Sequence, residues 1–350
     1  MPAYQNTAFF VIQSSIAEVC KFKAIIDKKN AREKYMDEKS KILASQIKAG
    51  RLEESGSFPK VVLLDTVSSC NLRCSMCVHK DMTRKQGIMK WELLTKILDE
   101  IATVQKDTRI WMVFFGDPFV IKNAKPSIFD MIKYAKSIGL TDVVLNSNGC
   151  LMDETSAKKL IDSGLDSIYF GIDAATPETY AKLRVGGDYA ETVNNVLTLI
   201  RLVKEQSSSH PKIFVQFVEM DENSAEKDAF VEFWSKQGVT VKIRPKVSWA
   251  GSIDAPNLVL GNQDRWPCHW LMQTMAIADD GRVVLCPVDL NANVVVGDAT
   301  KNTLAEIWQQ QLKELRSLHL TGRYSELPPM CRDCRDWQSA RSDYHNMDNK

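Results

Sequence analysis

The sequence predicts an α/β protein built as a partial barrel of six strand–helix units, (βα)6, followed by a smaller region of different texture. Three observations carry this. Short β-branched and aromatic runs recur six times between residues 61 and 245, separated by segments of helical periodicity. Strands that alternate with helices pair in parallel, and six in a row form an open or partial barrel. After about residue 255 the rhythm stops, and four of the nine cysteines follow.

The elements can be justified in order. Residues 1–58 are charged and helical in pattern (DKKNAREKYMDEKSKILASQIK), without strands, and are expected to form a helical N-terminal extension. The apolar patch AFFVI within them is five residues long and lacks a basic lead and a small-residue cleavage site. It is read as neither a signal peptide nor a membrane span. The barrel is expected over 59–255, with strands at VVLLDTV (61–67), IWMVFFG (110–116), DVVLNSN (142–148), SIYFGID (167–173), KIFVQFV (212–218) and VTVKIRP (239–245). Between them lie helical patterns such as KWELLTKILDEIATV and PSIFDMIKYAKSIG, the latter closed by a glycine. In such barrels chemistry gathers on the loops after the strand C-terminal ends. Residues 256–350 are expected to form a separate, cysteine-bearing domain.

Composition narrows the function. Lys plus Arg is 45 against Asp plus Glu at 44, and no basic run would track phosphates, so nucleic acid is not expected as a partner. Hydrophobic residues at 44% and charged residues at 25% describe a globular chain with ample core. A cytoplasmic location is expected, where the cysteines would be ligands rather than crosslinks.

Three cysteines, Cys70, Cys74 and Cys77, fall in the loop after the first strand (SSCNLRCSMCVHK). Three thiolates can hold three corners of a 4Fe–4S cube and leave one iron open. A zinc site is the other reading, with His79 as its fourth ligand. The spacing C-x3-C-x2-C after the first barrel strand resembles the signature of the radical S-adenosylmethionine (SAM) superfamily, whose fold is a partial (βα)6 TIM-like barrel. The resemblance implies that the open iron binds SAM, which is cleaved reductively to a 5′-deoxyadenosyl radical that abstracts hydrogen from an unactivated carbon. It also implies an external electron donor, flavodoxin- or ferredoxin-like.

The likeness continues strand by strand. FFGDP is similar to the family's Gly-Gly-Glu-Pro, which places Gly116, Asp117 and Pro118 beside the SAM amine, with Phe115 in place of the first glycine. Ser147-Asn148-Gly149 resembles the turn beside the adenosyl group. Asp173 and Arg184 match the fourth-strand pattern, which implies that Arg184 pairs with the SAM carboxylate. The family's serine there is Gly171, and Met76 stands where an aromatic often touches adenine.

The remaining quartet is Cys268, Cys286, Cys331 and Cys334, set around an Asp-Gly hairpin (DDGRVV) and ending in CRDCRDW. This is similar to the twitch form of the SPASM domain, which implies one auxiliary 4Fe–4S cluster and hence two clusters in all. A zinc ribbon is the alternative. An auxiliary cluster with four thiolates has no open iron, but it can accept an electron. The resemblance is to twitch-domain dehydrogenases of the aminocyclitol type, which implies oxidation of a small polar substrate, sugar or aminocyclitol-like. Redox-neutral epimerisation or decarboxylation, peptide modification and a non-catalytic iron–sulfur scaffold are the alternatives. Polar residues on the last barrel strands, Gln216, Glu219, Arg244 and Lys246, are the candidates to face the substrate, the last two sharing one face by two-residue alternation. Cys150 is read as packing, not as a hydrogen-atom donor.

Overall fold

The protein is described by a computed structural model that covers residues 56–339, Lys41 and the backbone of Asp343–His345. The expected helical extension over 1–58, with its AFFVI patch, therefore lies outside the described residues apart from Lys41 and its last three positions. Contacts divide the chain into two compact units, Met1–Ala49 and Gly50–Lys350. The second holds everything below, so the expected 59–255 and 256–350 segments form one body.

Six parallel strands form in chain order: β1 (Val61–Leu64), β2 (Arg109–Trp111), β3 (Val143–Ser147), β4 (Ser167–Gly171), β5 (Lys212–Glu219) and β6 (Thr240–Pro245). β1 is buried along its length, as parallel strands covered on both faces must be. The covering helices are α1 (Trp91–Val104), α2 (Ile128–Ser137), α3 (Glu154–Asp162), α4 (Pro177–Leu183), α5 (Tyr189–Glu205) and α6 (Lys227–Lys236). Four of them start where the sequence supplies a capping oxygen. Ser127 and Asp130 form a capping box on α2, and Asp153, Thr176 and Asp188 cap α3, α4 and α5.

β2 is shorter than the expected IWMVFFG run. Beyond Trp111 the chain turns so that Gly116 passes beneath the carbonyls of Val67 and Ser69, where any β-carbon would collide with backbone. The Asp117 N–H then donates to the Ser69 carbonyl at 2.9 Å. The turn brings two strand-end loops together at the barrel mouth.

The C-terminal region does not stand apart from the barrel. β7 (Thr274–Ile277) pairs parallel with β1, and β8 (Arg282–Val284) and β9 (Val295–Asp298) extend that edge antiparallel. β10 (Asp343–His345) pairs antiparallel with β6, so one sheet of ten strands runs β10-β6-β5-β4-β3-β2-β1-β7-β8-β9. The DDGRVV segment makes the expected hairpin between β7 and β8. Arg84 welds the junction: its guanidinium binds both Asp65, after β1, and Asp279, in the hairpin, and all three side chains are almost fully enclosed. Four short helices, α7 (His269–Gln273), α8 (Leu304–Gln309), α9 (Gln311–Leu320) and α10 (Pro329–Arg332), pack on this edge, with Trp308 in the core. No helix among the described residues is long and apolar enough to cross a membrane.

Candidate active site

The loop after β1 is strapped in place by backbone bonds. Arg73 N–H donates to the Val185 carbonyl and Ser75 N–H to that of Leu183, both at 2.9 Å. Cys77 N–H closes a turn on the Cys74 carbonyl at 3.1 Å. The three thiols are free, and each has a donor aimed at it. Leu72 N–H reaches Cys70 Sγ at 3.5 Å, His79 N–H reaches Cys77 Sγ at 3.4 Å, and Arg184 Nη1 reaches Cys74 Sγ at 3.6 Å. Asn148 Nδ2 adds a second contact to Cys70 at 3.8 Å. Donors of this kind stabilise a thiolate, not a thiol. Burial acts the other way: it pushes Cys70 up to about 12 and also raises Cys77. A coordinated cation resolves that conflict, since it deprotonates its thiol ligands outright. An all-thiol set with sulfur-directed donors fits an iron–sulfur cluster. His79 Nε2 lies 2.7 Å from the Ser68 carbonyl, and its buried Nδ1 has no hydrogen-bond partner.

The triplet opens on a cavity of about 850 Å³ that also touches Gly116, Asp117, Ser147, Asn148, Asp173 and Arg184. The expected SAM contacts are therefore brought together, with Pro118 and Gly149 just behind them in the backbone. Their side chains are partly committed within the protein. Asp117 Oδ2 accepts from Ser147 Oγ and Asn148 N–H, each at 2.8 Å, and Oδ1 accepts from Phe119 N–H at 3.0 Å. Its carboxylate thus ties the β2 loop to the end of β3, and burial raises its pKa despite these bonds. Asp173 has φ of 60° and is fully buried; its carboxylate binds Arg184 and accepts from Val218 N–H at 2.7 Å. Arg184 lies across Gly171, so closely that a β-carbon there would strike the guanidinium. The serine of the family pattern would require this guanidinium to shift.

The cavity continues into a second one of about 720 Å³, bounded by Phe114, Arg244, Lys246, Trp249, Trp270 and Val288. Gln216 Nε2 donates to Asn146 Oδ1 at 3.2 Å, and Arg244 Nη1 donates to Gln216 Oε1 at 2.8 Å. This chain spans the barrel interior beneath both cavities. Lys246 stands at the rim. Glu219 is elsewhere: it pairs with Lys227 at 2.7 Å and borders an outer cavity of about 1140 Å³. Strand alternation explains the split, since Gln216 and Val218 point inward on β5 and Glu219 must point out.

The quartet is built differently. Cys268, Cys286, Cys331 and Cys334 are all free, with Cys268 directly before α7 and Cys331 within α10. Burial pushes Cys268 up to about 12 and raises Cys286 and Cys334 well above the ordinary thiol range. Two groups reach Cys331 Sγ: Arg265 Nη2 at 3.5 Å and His319 Nε2 at 3.4 Å. Burial, helped by Arg265, holds His319 down at about 3, so it is neutral at pH 7. Among the described residues no three His, Cys, Asp or Glu side chains are drawn up to hold a single metal ion. The four-thiol donor set fits a cluster. Trp249, Arg265, His319 and Asp336 were missed by the sequence reading. Trp249 supplies the aromatic wall that Met76 lacks, from the end of β6.

Comparison with known proteins agrees with this geometry. Residues 65–215 match the radical SAM superfamily, and residues 268–335 match the SPASM iron–sulfur cluster-binding domain. A tungsten-containing aldehyde ferredoxin oxidoreductase cofactor-modifying protein of Pyrococcus furiosus is 28% identical over 184 residues, 51% of this chain. The match spans 49% of that relative, about half its length. Among solved structures, BtrN in complex with AdoMet and 2-DOIA has a TM-score of 0.54 at 16% identity, over 79% of this chain and 93% of that one. Streptococcus suis SuiB bound to the precursor peptide SuiA has a TM-score of 0.60 at 13% identity, over 85% and 74%. Both share the fold.

Proposed function

We propose that this radical SAM enzyme, with its SPASM domain, oxidises a small polar substrate by two electrons and delivers one of them to a 4Fe–4S cluster on Cys268, Cys286, Cys331 and Cys334. One observation carries the reading. The triplet opens onto a cavity that continues into a second, aromatic-walled one, whereas the quartet, with Cys268 buried and the other three thiols half-buried, offers a ligand for every iron corner of a second cluster. A triplet leaves one iron corner for a small molecule, and a quartet leaves none and is suited to exchanging electrons.

When bound, SAM and its cluster supply a one-electron bond cleavage and a carbon radical that takes hydrogen from an unactivated C–H. The chain does the rest. Cys70, Cys74 and Cys77 hold the cluster, and Gly116, Ser147 and Asn148 line the SAM cavity. Arg184, anchored by Asp173, places positive charge beside Cys74 and the SAM carboxylate. Arg244, steadied by Gln216 and Asn146, presents a fixed guanidinium to a polar substrate group, and Lys246 offers an ammonium at the rim. Phe114, Trp249 and Trp270 exclude water around the reacting carbon, which protects a radical from side reactions. A flavodoxin- or ferredoxin-like donor supplies the first electron.

A second reading, a peptide substrate, draws support from the outer cavity of about 1140 Å³ beyond Lys246 and from the likeness to SuiB. The experiment is deuterium transfer into 5′-deoxyadenosine from candidate substrates, with anaerobically reconstituted protein. A deuterated polyol or aminocyclitol that gives label and a ketone supports the proposal. Label from a peptide alone favours the second reading, label with a product of unchanged oxidation state removes the oxidation, and no SAM turnover at all leaves a scaffold.

A further inference from the structure

After β6 the chain runs Ser248–Trp249–Ala250–Gly251, and the last three residues have φ of 51°, 56° and 89°. Only the third is glycine. L side chains resist this region because the β-carbon crowds the following carbonyl, and they enter it as single residues, not in succession. Two in a row need a tie from outside, and such strain collects at functional sites. Asp336 is that tie. It is 2% exposed; Oδ1 accepts from Ser248 N–H at 2.6 Å and Oδ2 from Ala250 N–H at 2.8 Å. Gly251 N–H closes the turn on Ser248 Oγ at 3.0 Å.

The turn aims the Trp249 indole. Its Nε1–H donates to the Met76 carbonyl at 3.0 Å, between Cys74 and Cys77. Its ring packs on Phe115 and Phe114, at 5.9 and 6.2 Å between centroids, and walls both cavities. The other end of the connection is Asp336 itself, whose backbone N–H donates to Cys334 Sγ at 3.3 Å. One residue thus touches a thiol of the quartet through its backbone and, through its carboxylate, holds the turn that braces the triplet.

We propose that Asp336 is a positioning residue that couples the two cysteine sites: ligation of Cys334 fixes Asp336, Asp336 holds the Trp249 turn, and Trp249 seats the Cys74–Cys77 loop and closes the substrate cavity. The coupling rests on both thiol sets holding their clusters, not on the identity of the substrate or the outcome of the reaction.

The test is a double-mutant cycle on reconstituted holoenzyme, with hydrogen exchange over residues 70–82 and SAM affinity as readouts. Asp336→Ala and Trp249→Phe should each speed exchange in that segment and weaken SAM binding by about tenfold, as expected for loss of buried bonds worth about one decade. Asp336→Asn, which keeps one acceptor for two amides, should fall between Asp336→Ala and the wild type. The double variant should be no worse than the worse single, because both cut one connection. Cys331→Ala with Cys334→Ala should loosen the same segment. Additive effects, or unchanged exchange over 70–82 in Asp336→Asn and Asp336→Ala, would overturn the coupling. If Asp336→Ala does not fold, Asp336→Asn and Trp249→Phe complete the cycle. Exchange needs neither substrate nor turnover, so a wild type that fails to cleave SAM sinks the proposed function and leaves this measurement standing.

Discussion

The two cysteine sites use the same donor atom in different numbers and beside different surroundings. Around Cys70, Cys74 and Cys77 two donors to sulfur are backbone N–H groups of the loop itself and two are the Arg184 and Asn148 side chains, and one side of the set opens on a cavity. Around the quartet the Arg265 and His319 side chains reach Cys331 and the Asp336 backbone N–H reaches Cys334, while Cys286, Cys331 and Cys334 stay half-buried. What separates the two sites is the thiol count and the cavity beside the triplet: three thiols facing a cavity can leave room for a ligand, and four thiols need none.

The strongest way to break this contrast is to remove the open set. Replacing Cys70, Cys74 and Cys77 with Ala should halve the iron of anaerobically reconstituted protein from about eight to about four per chain. SAM cleavage should disappear. Residual 5′-deoxyadenosine from that variant would show that the triplet is not the reactive site. Stoichiometric zinc in protein purified without air would instead overturn the cluster reading of the quartet.

Removing the closed set should separate the two roles. Cys331→Ala with Cys334→Ala should still turn over SAM, though less efficiently if the Asp336 connection operates, and should yield little oxidised product. The diagnostic quantity is product formed per 5′-deoxyadenosine released. A ratio equal to that of wild type would remove the electron-acceptor role and favour a redox-neutral reaction.

A finer probe is the charge beside Cys331. Arg265→Gln takes a guanidinium from a sulfur that gains negative charge on reduction, so the quartet should become harder to reduce. A hydrogen bond to a charged group contributes about 1.5–3 kcal/mol, and one decade for a one-electron couple is about 59 mV. The quartet's potential should therefore fall by on the order of 60 mV, while the triplet's stays where it was. Potentiometry followed by EPR distinguishes the two. Equal shifts at both sites would mean that Arg265 acts on the whole fold instead of on Cys331.

The contrast also explains what the sequence made legible. The six parallel strands were readable because each is a short β-branched run between helical patterns, and both cysteine sets were readable because ligand spacing within a loop is local. β2 proved shorter than its apolar run because Gly116 must pass under the Val67 and Ser69 carbonyls, a packing demand with no periodic signature. Glu219 was grouped with Gln216 although three positions apart puts them on opposite faces of β5; that parity was available in the sequence. Arg265, His319, Trp249 and Asp336 were not legible. Each is a single residue whose partner lies far along the chain: Trp249 reaches Met76 and Asp336 reaches Ser248 and Ala250. Only three-dimensional closure creates such pairs. Asp336 does sit in CRDCRDW, but the motif points to its cysteines and says nothing of the acid between them and the turn.

The smallest effect is expected at Cys150, and it tests one route to epimerisation. A thiol able to return a hydrogen atom to a substrate radical must face the cavity. Cys150 follows the Ser147-Asn148-Gly149 turn, yet it lines neither of the two inner cavities. Its sulfur lies 3.2 Å from Thr192 Oγ1 and 3.4 Å from Tyr180 Oη, and it packs with Leu72, Leu183 and Met220 behind the triplet loop. Those are the contacts of a small buried side chain that fills space and shares a weak hydrogen bond. Cys150→Ala should therefore cost on the order of 1 kcal/mol of stability, the net value of one such bond, read by denaturant unfolding. Product per SAM consumed should not change, and wild-type enzyme in deuterated water should place no solvent label on the product carbon. Loss of turnover in the variant together with solvent label in the wild type would make Cys150 the donor, and the reaction an inversion. With the sulfur held between Thr192 and Tyr180 and lining neither inner cavity, the geometry favours packing over hydrogen return for Cys150.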